Sequence, residues 1–138
     1  MTRALADASS IILLVKHADP SKLADIAPNV TTLDLASYEA GNAIWKQAKL
    51  LKILSEGDAR AAHEAIVEFI SHTSIVRAEA LDHREAMRVA LDQRIAYYDA
   101  CYVVAARSLR LPLATEDRKL AGSKGGQKVI GWKQLVSE

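Results

Sequence analysis

Short apolar segments alternate with longer amphipathic segments along most of this 138-residue chain. The short segments are rich in apolar or β-branched residues, which favours strands. Strands are predicted near Ala4–Asp7, Asn29–Leu33, Thr73–Arg77, Leu111–Thr115 and Val129–Ile130. Because strands that alternate with helices form βαβ units, the predicted fold class is α/β, with a parallel sheet and helices on both of its faces.

The first three predicted helices are recognised by apolar residues at three- and four-residue spacing. They are expected over Ile11–Lys16, over Leu35–Leu54, and after Gly57-Asp58, where Asp58 is predicted to cap the helix. Ala62, Ala65, Ile66, Phe69 and Ile70 are predicted to form one apolar face of the third helix.

Two further helices are predicted in the second half of the chain. Asp82 and Glu85 have the spacing of a capping box, so a helix is expected to begin there, with Met87, Ala90 and Leu91 facing inward. The face of the next helix is marked by Tyr98, Cys101, Tyr102, Ala105 and Leu109. A brief helical turn from Asp117 to Gly122 and a basic loop over Gly122–Lys128 are expected before the last strand.

Composition narrows the class of protein. Half of the residues are hydrophobic and a quarter are charged, which excludes a disordered chain, and the length suits one domain over residues 1–138. The net charge of +1 disfavours binding to nucleic acid through bulk charge. Cys101 is the only cysteine, which excludes an internal disulfide. The longest apolar run near the N-terminus, Ile11–Val15, is too short to span a membrane, so a cytoplasmic protein is expected.

Four acidic residues stand out by their positions. Asp7 and Asp117 lie just beyond predicted strands, where open α/β sheets place their ligands. Glu39 and Asp99 lie in the first turns of predicted helices. Carboxylates gathered in one cleft repel each other unless a cation neutralises them, and an oxygen-only ligand set favours Mg²⁺ or Mn²⁺. A carboxylate-held magnesium ion points to phosphoryl chemistry.

Each acid also has a purely structural interpretation, as a turn residue, a helix cap or a favourable charge in a first helical turn. Glu39 is the hardest to explain in that way. Gly41 and Asn42, which follow it, are poor helix formers in a strongly helical segment, and Asn42 shares a helix face with Glu39. Such breaks in local preference are expected at functional sites.

Four segments, taken together and in order, resemble the PIN-domain ribonucleases, and specifically the VapC-type toxins of prokaryotic toxin–antitoxin pairs. They are Asp7-Ala8-Ser9-Ser10, Tyr38-Glu39-Ala40-Gly41-Asn42-Ala43, Tyr98-Asp99-Ala100-Cys101-Tyr102, and the segment from Leu113 to Leu120. Each is weak alone, but their order and spacing span nearly the whole chain.

The resemblance implies an α/β/α fold of three layers, with a central parallel sheet of about five strands. It also implies that Asp7, Glu39, Asp99 and Asp117 form the acidic catalytic and metal-binding set. Ser9, Asn42 and Thr115 match accompanying polar positions. The expected cofactor is Mg²⁺, with Mn²⁺ as an alternative. The expected partners are an RNA substrate, a VapB-like antitoxin covering the cleft and a second copy in a homodimer.

The sequence thus predicts a Mg²⁺-dependent endoribonuclease that hydrolyses RNA with a metal-activated water, most simply a toxin. A housekeeping RNA-processing nuclease of the same fold, or a binding module with little activity, remains open. Arg118 and Lys119 are candidates for contacts with RNA phosphates, and the Gly122–Lys128 loop is a weaker one. Cys101 is expected to be a small buried residue rather than a nucleophile.

Overall fold

A computed structural model describes residues 2–117, 120 and 128–136 of the chain. Its centre is a five-stranded sheet in the order β3-β2-β1-β4-β5, and every neighbouring pair is parallel. The strands are β1 (Ala4–Ala6), β2 (Val30–Leu33), β3 (Ser74–Val76), β4 (Leu113–Ala114) and β5 (Val129–Ile130). All five strands lie within the predicted segments, and the parallel α/β sheet is confirmed.

Seven α-helices lie in the described part of the chain. They are α1 (Ala8–His17), α2 (Pro20–Ile26), α3 (Leu35–Lys49), α4 (Glu56–Ser71), α5 (His83–Gln93), α6 (Tyr97–Leu109) and α7 (Lys133–Val136). No helix among the described residues is long and apolar enough to cross a membrane.

The helices cover both faces of the sheet, because successive side chains of a strand point to opposite faces. Ala4 and Ala6 pack with buried residues of α1 to α4 and α7, whereas Leu5 packs with those of α5 and α6. All three strand residues are fully buried. The α/β/α arrangement of three layers follows from this division of the core.

Several predicted helix limits differ from the structure. Helix α1 begins at Ala8 rather than Ile11, because the Asp7 side chain accepts a hydrogen bond from the Ser10 N–H and caps it. Helix α3 ends at Lys49 rather than Leu54, and Lys52 then adopts a left-handed conformation with φ 53°. Helix α2 is an addition to the prediction, with Pro20 in its first turn after the Asp19 cap.

The predicted cap of α4 and the predicted inward face of α5 also need correction. Ser55, not Asp58, caps α4. Its hydroxyl accepts a hydrogen bond from the backbone N–H of Asp58, which lies in the first turn of the helix. The Asp82 cap of α5 is confirmed, since its side chain accepts from the Glu85 N–H. The prediction that Met87 and Leu91 face inward on α5 is wrong, because both side chains are exposed. The predicted apolar faces of α4 and α6 also include exposed residues, which are Ala65, Tyr98 and Leu109.

Candidate active site

Asp7 lies at the carboxyl end of the central strand β1 and is almost fully buried. Its Oδ1 atom accepts a hydrogen bond from the Ser9 hydroxyl at 2.7 Å and another from the Ser10 N–H at 3.0 Å. The buried strand followed by Asp-Ala-Ser-Ser produces this geometry, because the aspartate ends the strand and caps the next helix in one step. The carboxylate is therefore held in a fixed orientation.

Thr115 holds the other oxygen of the same carboxylate. Strand β4 pairs with β1, with Ala114 opposite Ala6, so the residues that follow the two strands lie side by side. The buried Thr115 hydroxyl donates to Asp7 Oδ2 and accepts a hydrogen bond from the Asp117 N–H at 3.0 Å. Thr115 thus forms hydrogen bonds with both Asp117 and Asp7 at the carboxyl ends of β4 and β1.

Glu39 reaches the site from α3 on one face of the sheet. Its Oε1 atom accepts a hydrogen bond of 2.7 Å from the hydroxyl of Tyr102, a fully buried residue of α6. Because the buried residues of α3 and α6 belong to the cores on opposite faces, this bond links the two helix layers. Asp99 lies in the first turn of α6, one turn before Tyr102.

The acidic side chains influence one another electrostatically. Burial raises the pKa of Asp7 above its ordinary value of 3.8, hydrogen bonds from Thr115 and Ser9 oppose the rise, and the charge of Asp117 adds to it. Burial also raises the pKa of Glu39, the Tyr102 hydroxyl opposes this, and the charges of Asp99 and Asp7 add to it. The four predicted acids therefore occupy one electrostatic neighbourhood.

The chemistry of the donor set suits a divalent cation. The neighbouring groups that shift the pKa of Asp7 and Glu39 are hydroxyls, a backbone amide and other carboxylates. Since the charged groups among these are all carboxylates, negative charge is concentrated around Asp7 and Glu39. Within the described residues, no group of three or more His, Cys, Asp or Glu side chains has a geometry that could hold a metal ion. Magnesium commonly uses one or two protein carboxylates and keeps several waters, which fits this looser arrangement.

The accompanying residues fall into three groups. Ser9 and Thr115 contact Asp7 directly, and the Ser9 hydroxyl also accepts from the Glu116 N–H at 3.2 Å. Asn42 lies exposed on α3, one turn after Glu39. Arg118 and Lys119 lie outside the described residues, as do most of the predicted turn from Asp117 to Gly122 and nearly all of the Gly122–Lys128 loop.

Tyr102 is the site residue that sequence reasoning missed. Its helical spacing predicted a place on one face of its helix, and the residue is fully buried. The available signal was its position three residues after Asp99, which places its hydroxyl on the helix face that carries the acid. Cys101 is buried as expected, and burial raises the pKa of its thiol.

Comparison with known proteins places the chain in a family, although no protein-family model matches it. It is 35% identical to Exonuclease VapC9 of Pyrobaculum aerophilum over 122 residues, covering 88% of this chain and 86% of that protein. It is also 35% identical to Ribonuclease VapC3 of the same organism over 122 residues, covering 85% and 91% of the two chains.

Solved structures show the same fold. The crystal structure of PAE2754 from Pyrobaculum aerophilum superposes with a TM-score of 0.78 at 32% identity, covering 98% of this chain and 93% of that one. A toxin–antitoxin complex from Klebsiella pneumoniae has a TM-score of 0.65 at 18% identity, covering 94% and 97%. With this fold and its VapC relatives along nearly the whole length, the chain belongs to the VapC family of PIN-fold proteins.

Proposed function

We propose that this protein is a metal-dependent endoribonuclease and the toxin of a type II toxin–antitoxin pair. The observation that carries the proposal is the buried Asp7 carboxylate at the end of the central strand, with Glu39, Asp99 and Asp117 acting on the same electrostatic neighbourhood. The names of the relatives, which are a ribonuclease and an exonuclease, support nuclease activity. The complex from Klebsiella pneumoniae supports an antitoxin partner.

Asp7, Glu39, Asp99 and Asp117 would hold Mg²⁺ or Mn²⁺, with one or two of these carboxylates bound to the ion directly and waters completing its coordination. When bound, such an ion lowers the pKa of water and stabilises negative charge on phosphate oxygens. The chain's own contribution is orientation. Ser9 and Thr115 orient both oxygens of Asp7, and Tyr102 orients one oxygen of Glu39. The two carboxylates therefore need little rearrangement to bind a metal ion.

A loss-of-charge variant tests the role of the acids. We expect Asp99→Asn to lose RNA cleavage by orders of magnitude, because it keeps the side-chain volume but removes one negative charge from the site. The measurement is cleavage of total cellular RNA with Mg²⁺ and with excess EDTA, with the product ends mapped. Asp92→Asn, an exposed aspartate on α5, is the matched control and should cleave like the wild type.

The nature of the products and substrates tests the mechanism. With water as the nucleophile, cleavage should continue when the 2′-hydroxyl at the scissile nucleotide is methylated. A 2′,3′-cyclic phosphate product, or full activity in EDTA, would contradict the proposal. A circular RNA separates internal cleavage from degradation of ends, since only an endonuclease can cut a molecule without ends.

The toxin assignment has its own test. Expression of the protein in a bacterial host should arrest growth, and coexpression of a short reading frame found immediately upstream of its gene should relieve the arrest. Active protein that causes no arrest would favour a housekeeping nuclease. Protein that binds RNA without metal-dependent cleavage would instead favour a binding module.

A further inference from the structure

A small cavity lies beside the carboxylates. Its volume is about 250 Å³, and its walls come from the end of β2, from α3 and α6, and from the turn that precedes α5. Tyr38 and Tyr98 line it, and each immediately precedes one of the site acids, Glu39 and Asp99. Cys101 also lines it, and the charge of Glu39 contributes to the raised pKa of that thiol, so the cavity and the acidic site are neighbours.

One wall of the cavity is held in place by internal hydrogen bonds. His83 contacts the Tyr97 hydroxyl through Nδ1 and the Ala78 carbonyl through Nε2 at 2.7 Å, and its ring stacks on Tyr97 with 6.2 Å between centroids. Asp34 Oδ2 accepts from the Ala78 N–H at 3.0 Å. The polar groups of this wall therefore satisfy one another, and the wall is formed before any ligand arrives.

The lining of the cavity also includes two exposed aromatic rings. Tyr38 is 79% exposed and Tyr98 is 57% exposed, whereas Tyr102 on the same helix as Tyr98 is fully buried. Exposed aromatic side chains beside a catalytic cleft are poorly explained by packing, since they contribute little to the core. They are well suited to stacking on a flat ring, and such stacking favours every base because every base has a π-face.

The charge of the lining indicates which part of a nucleotide the cavity accepts. The residues that line it include no lysine or arginine, and they include the Asp34 carboxylate. A phosphate group would be repelled there, but an uncharged base would not be. The volume also lies slightly below the roughly 300 Å³ at which pockets for drug-sized ligands begin, which suits one base better than a whole nucleotide.

We propose that Tyr38 and Tyr98 form a stacking site for one unpaired base of the RNA substrate, beside the phosphodiester bond to be cleaved. This inference rests on the proposed ribonuclease function and adds the side chains that would hold the substrate, since an unpaired base is free to stack on them whereas a base within a duplex is already stacked and paired. Since stacking needs no hydrogen bonds to base edges, the site tolerates different bases.

Binding measured without cleavage tests the stacking site. The probe is a short, fluorescein-labelled single-stranded poly(A) RNA, and its fluorescence anisotropy is titrated with protein in EDTA. We expect Tyr38→Ala and Tyr98→Ala each to weaken binding about fivefold or more. Tyr38→Phe and Tyr98→Phe keep the ring and should bind within about twofold of wild type. Leu91→Ala, which removes an equally exposed side chain from α5, should have no effect.

The outcomes separate this inference from the proposed function. Alanine variants that bind poly(A) like the wild type, or a wild type that does not bind it, would overturn the stacking site whatever the cleavage assay shows. Conversely, intact cleavage by Asp99→Asn would overturn the proposed active site without reference to the tyrosines. If Tyr98→Ala instead lowers the solution mass and leaves RNA binding intact, the rings belong to a protein interface and the stacking site is wrong.

Discussion

At the scale of single residues, Asp7 serves two purposes with one carboxylate. Oδ1 caps α1 through the Ser10 N–H, and Oδ2 accepts from the Thr115 hydroxyl across the sheet. A substitution at Asp7 would therefore disturb helix capping and the site together. Glu39 offers a cleaner test, because its hydrogen bond from Tyr102 survives when the carboxylate is replaced by an amide.

We expect Glu39→Gln to melt a few degrees higher than the wild type in EDTA near neutral pH. The pKa of Glu39 is raised in the folded protein, so ionising this residue costs folding free energy, and the variant avoids that cost. A change of about 1 kcal/mol gives a shift of a few degrees in a domain of this size. Differential scanning calorimetry measures it, and Glu64→Gln on the exposed side of α4 is the control.

The pH dependence of that difference has a defined direction. Well below the ordinary glutamate pKa of 4.5, Glu39 is protonated in both the folded and the unfolded protein, so it carries no charge that would destabilise the fold. As the pH rises through the raised pKa, the wild type loses stability relative to the variant, and the difference then levels off. Added Mg²⁺ should stabilise the wild type more than the variant. A variant that melts lower at neutral pH would contradict this electrostatic account.

At the scale of secondary-structure elements, the N-terminus of α4 provides a second test. Ser55→Ala should lower the free energy of unfolding by about 0.5–2 kcal/mol, because the hydroxyl accepts the Asp58 N–H and alanine leaves it without that partner. Asp58→Asn removes only a favourable charge in the first turn, worth about 0.3–1 kcal/mol. Urea denaturation measures both changes.

Salt distinguishes the two roles at this helix end. The effect of Asp58→Asn should shrink at high ionic strength, because salt screens the interaction between a charge and the helix dipole. The effect of Ser55→Ala should persist, because a hydrogen bond to the backbone is not screened in this way. A larger loss for Asp58→Asn than for Ser55→Ala would restore Asp58 as the cap.

Strands were more predictable from sequence than helix ends for a physical reason. A short apolar segment in an α/β chain has few places to be buried other than the sheet, so the segments around β1 to β5 were identified. The C-terminal limit of α3, in contrast, depends on how the residues after the helix fold. The apolar run Leu50–Leu54 continues the helical spacing, but the chain turns at Lys52, and Leu51 is left 63% exposed. The spacing of apolar residues alone cannot show whether the helix continues through Leu50–Leu54 or ends before it.

Strand order explains one predictable part of the candidate site. Asp7 and Thr115 follow strands, and the neighbouring ends of parallel strands bring them together. The bond between Tyr102 and Glu39 joins helices from opposite faces of the sheet, 63 residues apart along the chain. Helical spacing identifies Tyr102 as buried, but it does not identify the residue that its hydroxyl meets.

At the scale of the whole molecule, the surface at the end of α3 is unusually apolar. We call the group formed by Trp45, Leu50, Leu51 and Ile53 the α3-end surface, and each of these side chains is more than half exposed. The apolar spacing over Ile44–Leu54 and over Ala62–Ile70 predicts that one of these two helix faces is an exposed surface for a homodimer or an antitoxin. Exposed apolar residues of this size are typical of protein interfaces.

We expect the protein to form a homodimer through the α3-end surface. Light scattering should give about twice the chain mass of 15.0 kDa, and the double substitution Leu51→Glu with Ile53→Glu should reduce it towards one chain, because charges cannot be buried at the interface without cost. Leu91→Glu, at a 71% exposed position on α5, is the control and should leave the mass unchanged. A monomeric wild type would contradict the dimer.

The position of β1 at the centre of the sheet has a consequence for when the candidate site is completed during synthesis. Asp7 leaves the ribosome 108 residues before Thr115, which anchors it. Strand β1 can pair with β2 early, whereas its other edge waits for β4. A nascent chain therefore carries Asp7, Glu39 and Asp99 before it carries a complete site. The anchored form of Asp7 is thus completed only after the 108 residues that separate it from Thr115 have been synthesised.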